Sequence, residues 1–124
     1  SMEQYKLGEM EQKFANLIWK HAPIRSGELA ALCEHAFGWK RTTTYTMLKR
    51  LCERHIFVNE KGIVSVQITK EEFQGAQGEQ FVNETFHGSL PLFLAAFTKR
   101  KKLSSKDIRE LKQLIHEYEE DAHD

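Results

Sequence analysis

No stretch of this 124-residue chain comes near the roughly 20 consecutive apolar residues that a membrane-spanning helix needs. No charged-then-apolar leader of the secretory type opens it either, so the expectation is a soluble, cytoplasmic protein without membrane insertion. Cysteine is scarce. Cys33 and Cys52 lack any C-x-x-C or C-x-C neighbour, which excludes a disulfide framework and leaves two reduced thiols on apolar helical positions. Glycine-rich phosphate loops, a nucleophile elbow and paired carboxylates in apolar surroundings are all missing, so no enzyme is expected. The histidines are scattered without ligand spacing, and neither a metal nor a cofactor is expected.

Net charge is also lacking, but its absence hides an asymmetry. Residues 1–69 carry ten Lys/Arg against seven Asp/Glu, whereas residues 70–124 carry eight against eleven. A basic front half suits an anionic partner.

The front half reads as short helices followed by a hairpin. Met10, Phe14, Leu17, Ile18 and His21 repeat at helical spacing, and Pro23 ends that helix. Ser26 is a candidate N-cap for a second, short helix burying Leu29, Leu32 and Cys33. Gly38 breaks the chain before a third helix over about 40–54. The period then drops to two in residues 56–58 and 63–68, on either side of Glu60-Lys61-Gly62, whose Lys-Gly suits a tight turn. This order is that of a winged helix, a variant of the helix-turn-helix.

The back half is helical. Thr69 with Glu72 forms a capping box that starts a fourth helix, which must tolerate Gly75 and Gly78 at roughly 1 kcal/mol each relative to Ala. Phe81 and Phe86 lie on it. Leu90, Phe93, Leu94 and Phe97 form a second stripe, and Ser104 caps a last helix with Ile108, Leu111, Leu114, Ile115 and Tyr118 on one side. The fold class is therefore mainly α with a small β-hairpin. Residues 1–69 form a winged helix-turn-helix domain, and residues 70–124 a helical dimerisation arm. An arm this short buries its apolar stripes poorly alone. A second copy in an isologous homodimer would cover Phe81, Phe86, Leu90, Phe93, Leu94, Phe97, Ile108, Leu111, Ile115 and Tyr118; the alternative is packing back onto the front domain. The run Lys99 to Lys102 reads as a solvated loop pairing with Glu119, Glu120 and Asp121, or else as a hold on DNA backbone.

The third helix carries the functional reading. At 100° per residue, Thr44, Met47, Leu48 and Leu51 share one sector, while Thr42, Tyr45, Thr46, Lys49 and Glu53 point the other way, flanked by Thr43 and Arg50. Glu53 is the single acid among residues 40–54, against five basics. Hydroxyls and an aromatic can meet base edges, and Lys40, Arg41, Lys49 and Arg50 can neutralise phosphates. Lys61 at the hairpin tip adds one more positive charge. The competing reading is a winged-helix module that docks protein through the same helix; such a face would expose Leu, Phe or Trp, and this one exposes only Tyr45.

The run WKRTTTYTMLKRL at 39–51 resembles the W-x-x-x-T-[IV]-x-T-[LV]-[IL]-x-R-L signature of the penicillinase and methicillin-resistance repressors. LIWKH at 17–21 and LSSKDIRELKQLI at 103–115 are similar to that family's first-helix and closing-helix segments. The resemblance implies a homodimeric winged-helix repressor that binds a palindromic double-stranded DNA operator and is released when a membrane sensor-protease cuts it. By position, Thr42, Thr43, Tyr45 and Thr46 match the family's base- and phosphate-contacting stretch, with Lys49 and Arg50 beside it. The family's cut, an Asn-Phe bond between the last two helices, aligns with Ala96-Phe97. The copper-sensing branch's C-terminal C-x-C motifs have no counterpart after Cys52, and the wing is shorter, with Lys61 near its tip.

Overall fold

A computed structural model describes residues 5–123. The first helix, α1 (Glu9–His21), starts where the Gly8 N–H donates to Glu11 Oε1 at 2.9 Å. The other carboxylate oxygen of Glu11 accepts from Arg54 Nη1 at 3.2 Å, and Arg54 Nη2 also donates to the Lys6 carbonyl. One acid thus both caps a helix and anchors the end of another. Phe14, Ala15 and Ile18 are buried. Met10 and His21, placed on the same stripe by spacing, are exposed, because they lie at the ends of the helix beyond the core.

A two-residue strand, β1 (Ile24–Arg25), follows Pro23 and leads directly into α2 (Ser26–Phe37). Ser26 is not the N-cap. Arg25 takes that position, and the Ser26 N–H donates to the Gly62 carbonyl at 2.8 Å. Leu29, Ala30 and Cys33 are fully buried. Gly38 ends α2 with φ +68, a left-handed conformation that glycine adopts without strain. Trp39 then packs between Phe14 and Phe37, with ring centroids 5.4 and 5.0 Å away. This aromatic wedge sets the turn into α3 (Arg41–Glu53).

Strands β2 (Phe57–Glu60) and β3 (Ile63–Val66) form the hairpin, and β1 pairs with β3, giving an antiparallel sheet of order β1-β3-β2. Glu60 pairs with Ile63, so Lys61-Gly62 is a two-residue turn with φ of +52 and +80. Two positive φ values define the primed turn whose twist matches the strands. The Trp19 indole N–H donates to the Ile68 carbonyl at 3.0 Å and ties the end of the hairpin to α1.

Thr69 and Glu72 make the reciprocal capping box of α4 (Lys70–Phe86): Glu72 N donates to Thr69 Oγ1 at 3.1 Å, and Thr69 N to Glu72 Oε1 at 3.3 Å. The helix runs unbroken through Gly75 and Gly78. Phe73, on the arm side of a division at residue 69, is fully buried in the front core. Its ring lies 5.5 Å from that of Trp19 and 5.8 Å from that of Tyr5. The chain accordingly separates into one compact unit ending at Phe81 and a second starting at Val82.

The second unit holds the end of α4, then α5 (Leu90–Arg100) and α6 (Ser105–His123). Ser89 Oγ accepts from Leu92 N at 3.1 Å to start α5. Ser104 and Asp107 make the matching pair at α6, with Asp107 N donating to Ser104 Oγ at 3.0 Å. Phe86, Phe93 and Phe97 form a ladder with centroid spacings of 5.5 and 5.9 Å. No described residue of this unit is buried.

Candidate nucleic-acid interface

Helix α3 turns its two faces to different environments. Leu48 and Leu51 pack into the core, and Thr44 is sealed beside them. The Thr44 hydroxyl makes no full hydrogen bond. It faces the Cys33 thiol, whose pKa burial pushes up and the hydroxyl draws partly back. Met47 is half-buried at the margin.

Thr42, Thr43, Tyr45, Thr46, Lys49, Arg50 and Glu53 are all exposed on the other side. The polar groups there are already partly oriented. Arg41 Nη2 donates to Tyr45 Oη at 2.9 Å, and the guanidinium carbon stands 5.7 Å from the ring centroid. Tyr45 therefore accepts from within the helix and keeps its own O–H proton for an outside acceptor. Thr46 Oγ1 donates back to the Thr42 carbonyl at 2.9 Å, which leaves its lone pairs and methyl group facing out. Arg50 Nη1 rests 3.8 Å from Met47 Sδ. A shallow open groove is lined by Thr42, Thr43, Thr46, Met47 and Arg50, and a second by Glu34, Gly38, Trp39, Lys40, Arg41 and Thr42.

Lys40 stands at the N-cap of α3 with extended backbone, and Lys61 is exposed on the hairpin turn. The start of α2 lies between the two regions. A Cβ added at Gly27 would sit 3.6 Å from Arg41 Nη2, and one added at Gly62 would sit 3.8 Å from Ser26 Oγ. Arg41 and the turn bearing Lys61 therefore flank the first turn of α2. The anchors that hold α3 in place escaped the sequence reading. Arg54 and Glu11 are 43 positions apart, and no local signal couples them.

In the second unit, Leu90, Leu92, Phe97, Ile108, Leu114, Ile115 and Tyr118 are exposed, Tyr118 at 77%. Phe86, Phe93, Leu94 and Leu111 are half-buried, and Phe81, ending the first unit, is 49% exposed. Ala96-Phe97 does not lie between the last two helices. It sits inside α5, where the Phe97 carbonyl accepts from Lys101 N at 2.9 Å. The run 99–102 and the acids 119–121 lie at opposite ends of α6, whose 19 residues span about 28 Å at 1.5 Å each. The pairing expected between them within one chain is therefore out of reach. Among the described residues no His, Cys, Asp and Glu cluster could hold a metal ion, and no helix is long and apolar enough to cross a membrane.

A helix-turn-helix backed by a three-stranded wing, presenting a basic face rich in hydroxyls, defines the winged-helix class of transcription regulators. A sequence model of the penicillinase repressor family matches residues 7–117, and the chain belongs to that family. It is 24% identical over 117 residues to a penicillinase repressor of Bacillus licheniformis, covering 91% of each chain. It is 20% identical over 119 residues to a penicillinase repressor of Staphylococcus aureus, covering 93% of this chain and 94% of the relative. Proteins of this family are transcriptional repressors, not enzymes.

Proposed function

We propose that the chain is a homodimeric repressor that lays α3 in the major groove of a palindromic DNA operator. One observation carries the reading. The exposed face of α3 combines Thr42, Thr43, Tyr45 and Thr46 with Lys49 and Arg50, while its opposite face is locked into the core. An ordinary solvated helix face has no need of four hydroxyls. A groove-reading face uses them for base edges and thymine methyls, with the flanking cations on phosphates. Lys40, Arg41 and Lys61 extend the positive surface to either side. Lys61, alone on a two-residue turn, makes a phosphate contact at most.

The second unit supports the homodimer, because its apolar side chains are unusually exposed for a lone chain. Tyr118, Leu90 and Leu114 are each more than 60% exposed, and a second copy would bury them. Release would then act on that contact, through a membrane sensor-protease cutting at Ala96-Phe97 or through a ligand that shifts the dimer.

Selection of bound duplexes from a random pool tests the reading. The expected product is an enriched inverted repeat, its half-sites whole helical turns apart. Recovery of no common sequence, with binding indifferent to sequence throughout, would overturn specific recognition. Protein docking through α3 would require an apolar face, and Tyr45, at 36% exposure, is the one large apolar side chain exposed there.

A further inference from the structure

The arginines in and beside α3 are held in different ways. Arg54, just past its last turn, is bound by Glu11 and by the Lys6 carbonyl. Arg50 rests near a methionine sulfur, at 3.8 Å. Arg41 is the first residue of the helix, and its Nη2 donates to Tyr45 Oη at 2.9 Å. Its guanidinium carbon stands 5.7 Å from the Tyr45 ring centroid, within reach of a cation–π contact. The same Nη2 lies against the first turn of α2, 3.6 Å from where a Cβ on Gly27 would stand. Two neighbours thus confine Nη2, while the Nη1 and Nε hydrogens have no partner among the described residues. Arg41 is exposed, so those donors are open to a partner from outside.

A phosphate offers acceptors in many directions, so a cation that neutralises it gains little from being fixed. A base edge offers them in one plane, and there a guanidinium fork held in one orientation is an advantage. Among base edges in the major groove, guanine sets two acceptors, O6 and N7, side by side, whereas adenine puts an N6 donor beside N7. The N-terminal residues of a recognition helix are those that reach base edges, and Arg41 is the first of them. We propose that Arg41 reads a guanine in each half-site through its O6 and N7, and that Tyr45 is the positioning residue that fixes the guanidinium. The inference rests on α3 lying in the major groove, as proposed above, and adds the base selected and the pair of residues that selects it. Tyr45 keeps its own O–H for a neighbouring acceptor.

Duplexes selected from the random pool by the full-length protein should carry a guanine fixed at one position of each half-site. Placing 7-deazaguanine there removes N7 and keeps the base pair, and the wild-type chain should then bind about tenfold more weakly. Arg41→Gln should lose the preference for guanine at that position and no other. Tyr45→Phe keeps the ring and removes the oxygen, so the same preference should fall about threefold. Added to Arg41→Gln, it should change nothing further at that position, as a residue acting through Arg41 requires. Wild-type indifference to 7-deazaguanine, or selected sites with no fixed guanine, would overturn the proposal. An Arg41→Gln loss spread equally over all sequences, with a flatter salt slope, would overturn it too and make Arg41 a phosphate contact. Additive losses from the two changes, or an undiminished preference in Tyr45→Phe, would overturn the positioning role. A chain that selects no sequence at all would remove the groove reading itself, and this inference with it.

Discussion

Tyr45 and Arg50 sit five positions apart on one helix, yet their chemistry gives them different tasks. Tyr45 has its oxygen engaged by Arg41 and its proton free, so it suits a single acceptor at a fixed height in the groove. Tyr45→Ala and Thr46→Ala should each relax discrimination at particular base pairs by about 1–3 kcal/mol. Lys49→Ala and Arg50→Ala should weaken all duplexes about equally and flatten the salt slope by about one. Fluorescence anisotropy on the selected operator and its single-base variants separates the two outcomes. Unchanged discrimination by Tyr45→Ala would mean that α3 docks on another face. The same scale includes a polar atom that serves no contact outside the core. Thr44 buries a hydroxyl with no full partner where the family signature has Ile or Val. Thr44→Val keeps the shape and removes the unmet group, so it should raise the unfolding free energy by about 1 kcal/mol in urea titration. A loss of stability would show that the Cys33 thiol satisfies the hydroxyl after all.

Among the elements, α3 was legible because thirteen residues give more than three turns over which one apolar stripe can declare itself. Its threonines favour a strand by propensity, and packing of Leu48 and Leu51 overrides them. The hairpin turn was legible for a similar reason, since Lys-Gly suits two positive φ values in succession. Strand β1 was not. Two residues between a proline and a helix carry no period, and only the pairing of Ile24 with Val64 makes them a strand. Ser26 misled because its composition fits a cap, while Arg25 holds the extended cap position and Ser26 is already the first residue of the helix. The role of Phe73 was hidden too. The capping box at Thr69 announces where α4 begins but not which turn packs against Trp19. Phe73→Ala should cost about 3–5 kcal/mol in urea unfolding of the front unit. A chain ended after Phe81 should keep that stability, whereas one ended after Ile68 should lose it by a similar margin. Equal stability of the two fragments would mean that the core closes without α4.

For the whole molecule, two subunits touching about six to eight phosphates should give a log–log dependence of affinity on salt with a slope near −5 to −7. A flat response in an anisotropy titration would contradict the electrostatic role given to the front half. On the proposed reading, release acts through the other unit. A break in α5 at the Ala96-Phe97 bond would detach Phe97 and α6, with Ile108, Leu114, Ile115 and Tyr118, from Phe86 and Phe93. Each such side chain lost from an interface is worth roughly 1.5–3 kcal/mol, enough in sum to dissolve a dimer and free its half-sites. Two features resist that break at Ala96-Phe97. The bond is helical, held by the Lys101 N–H on the Phe97 carbonyl, so a protease must first unwind the last turn of α5. The residue before it is also Ala96, where the family's pair has Asn. Ala96→Asn restores the pair and also weakens the helix by about half a kcal/mol. Co-expressed with a family sensor-protease and its β-lactam inducer, the wild-type chain should stay intact, and Ala96→Asn should be cut at that bond, as read by mass spectrometry. Cleavage of the wild-type chain there would show that Ala is accepted and make proteolysis the release route. If Ala96→Asn also survives, the helix itself is the barrier, and a small molecule that frees the operator from an intact dimer becomes the route to seek.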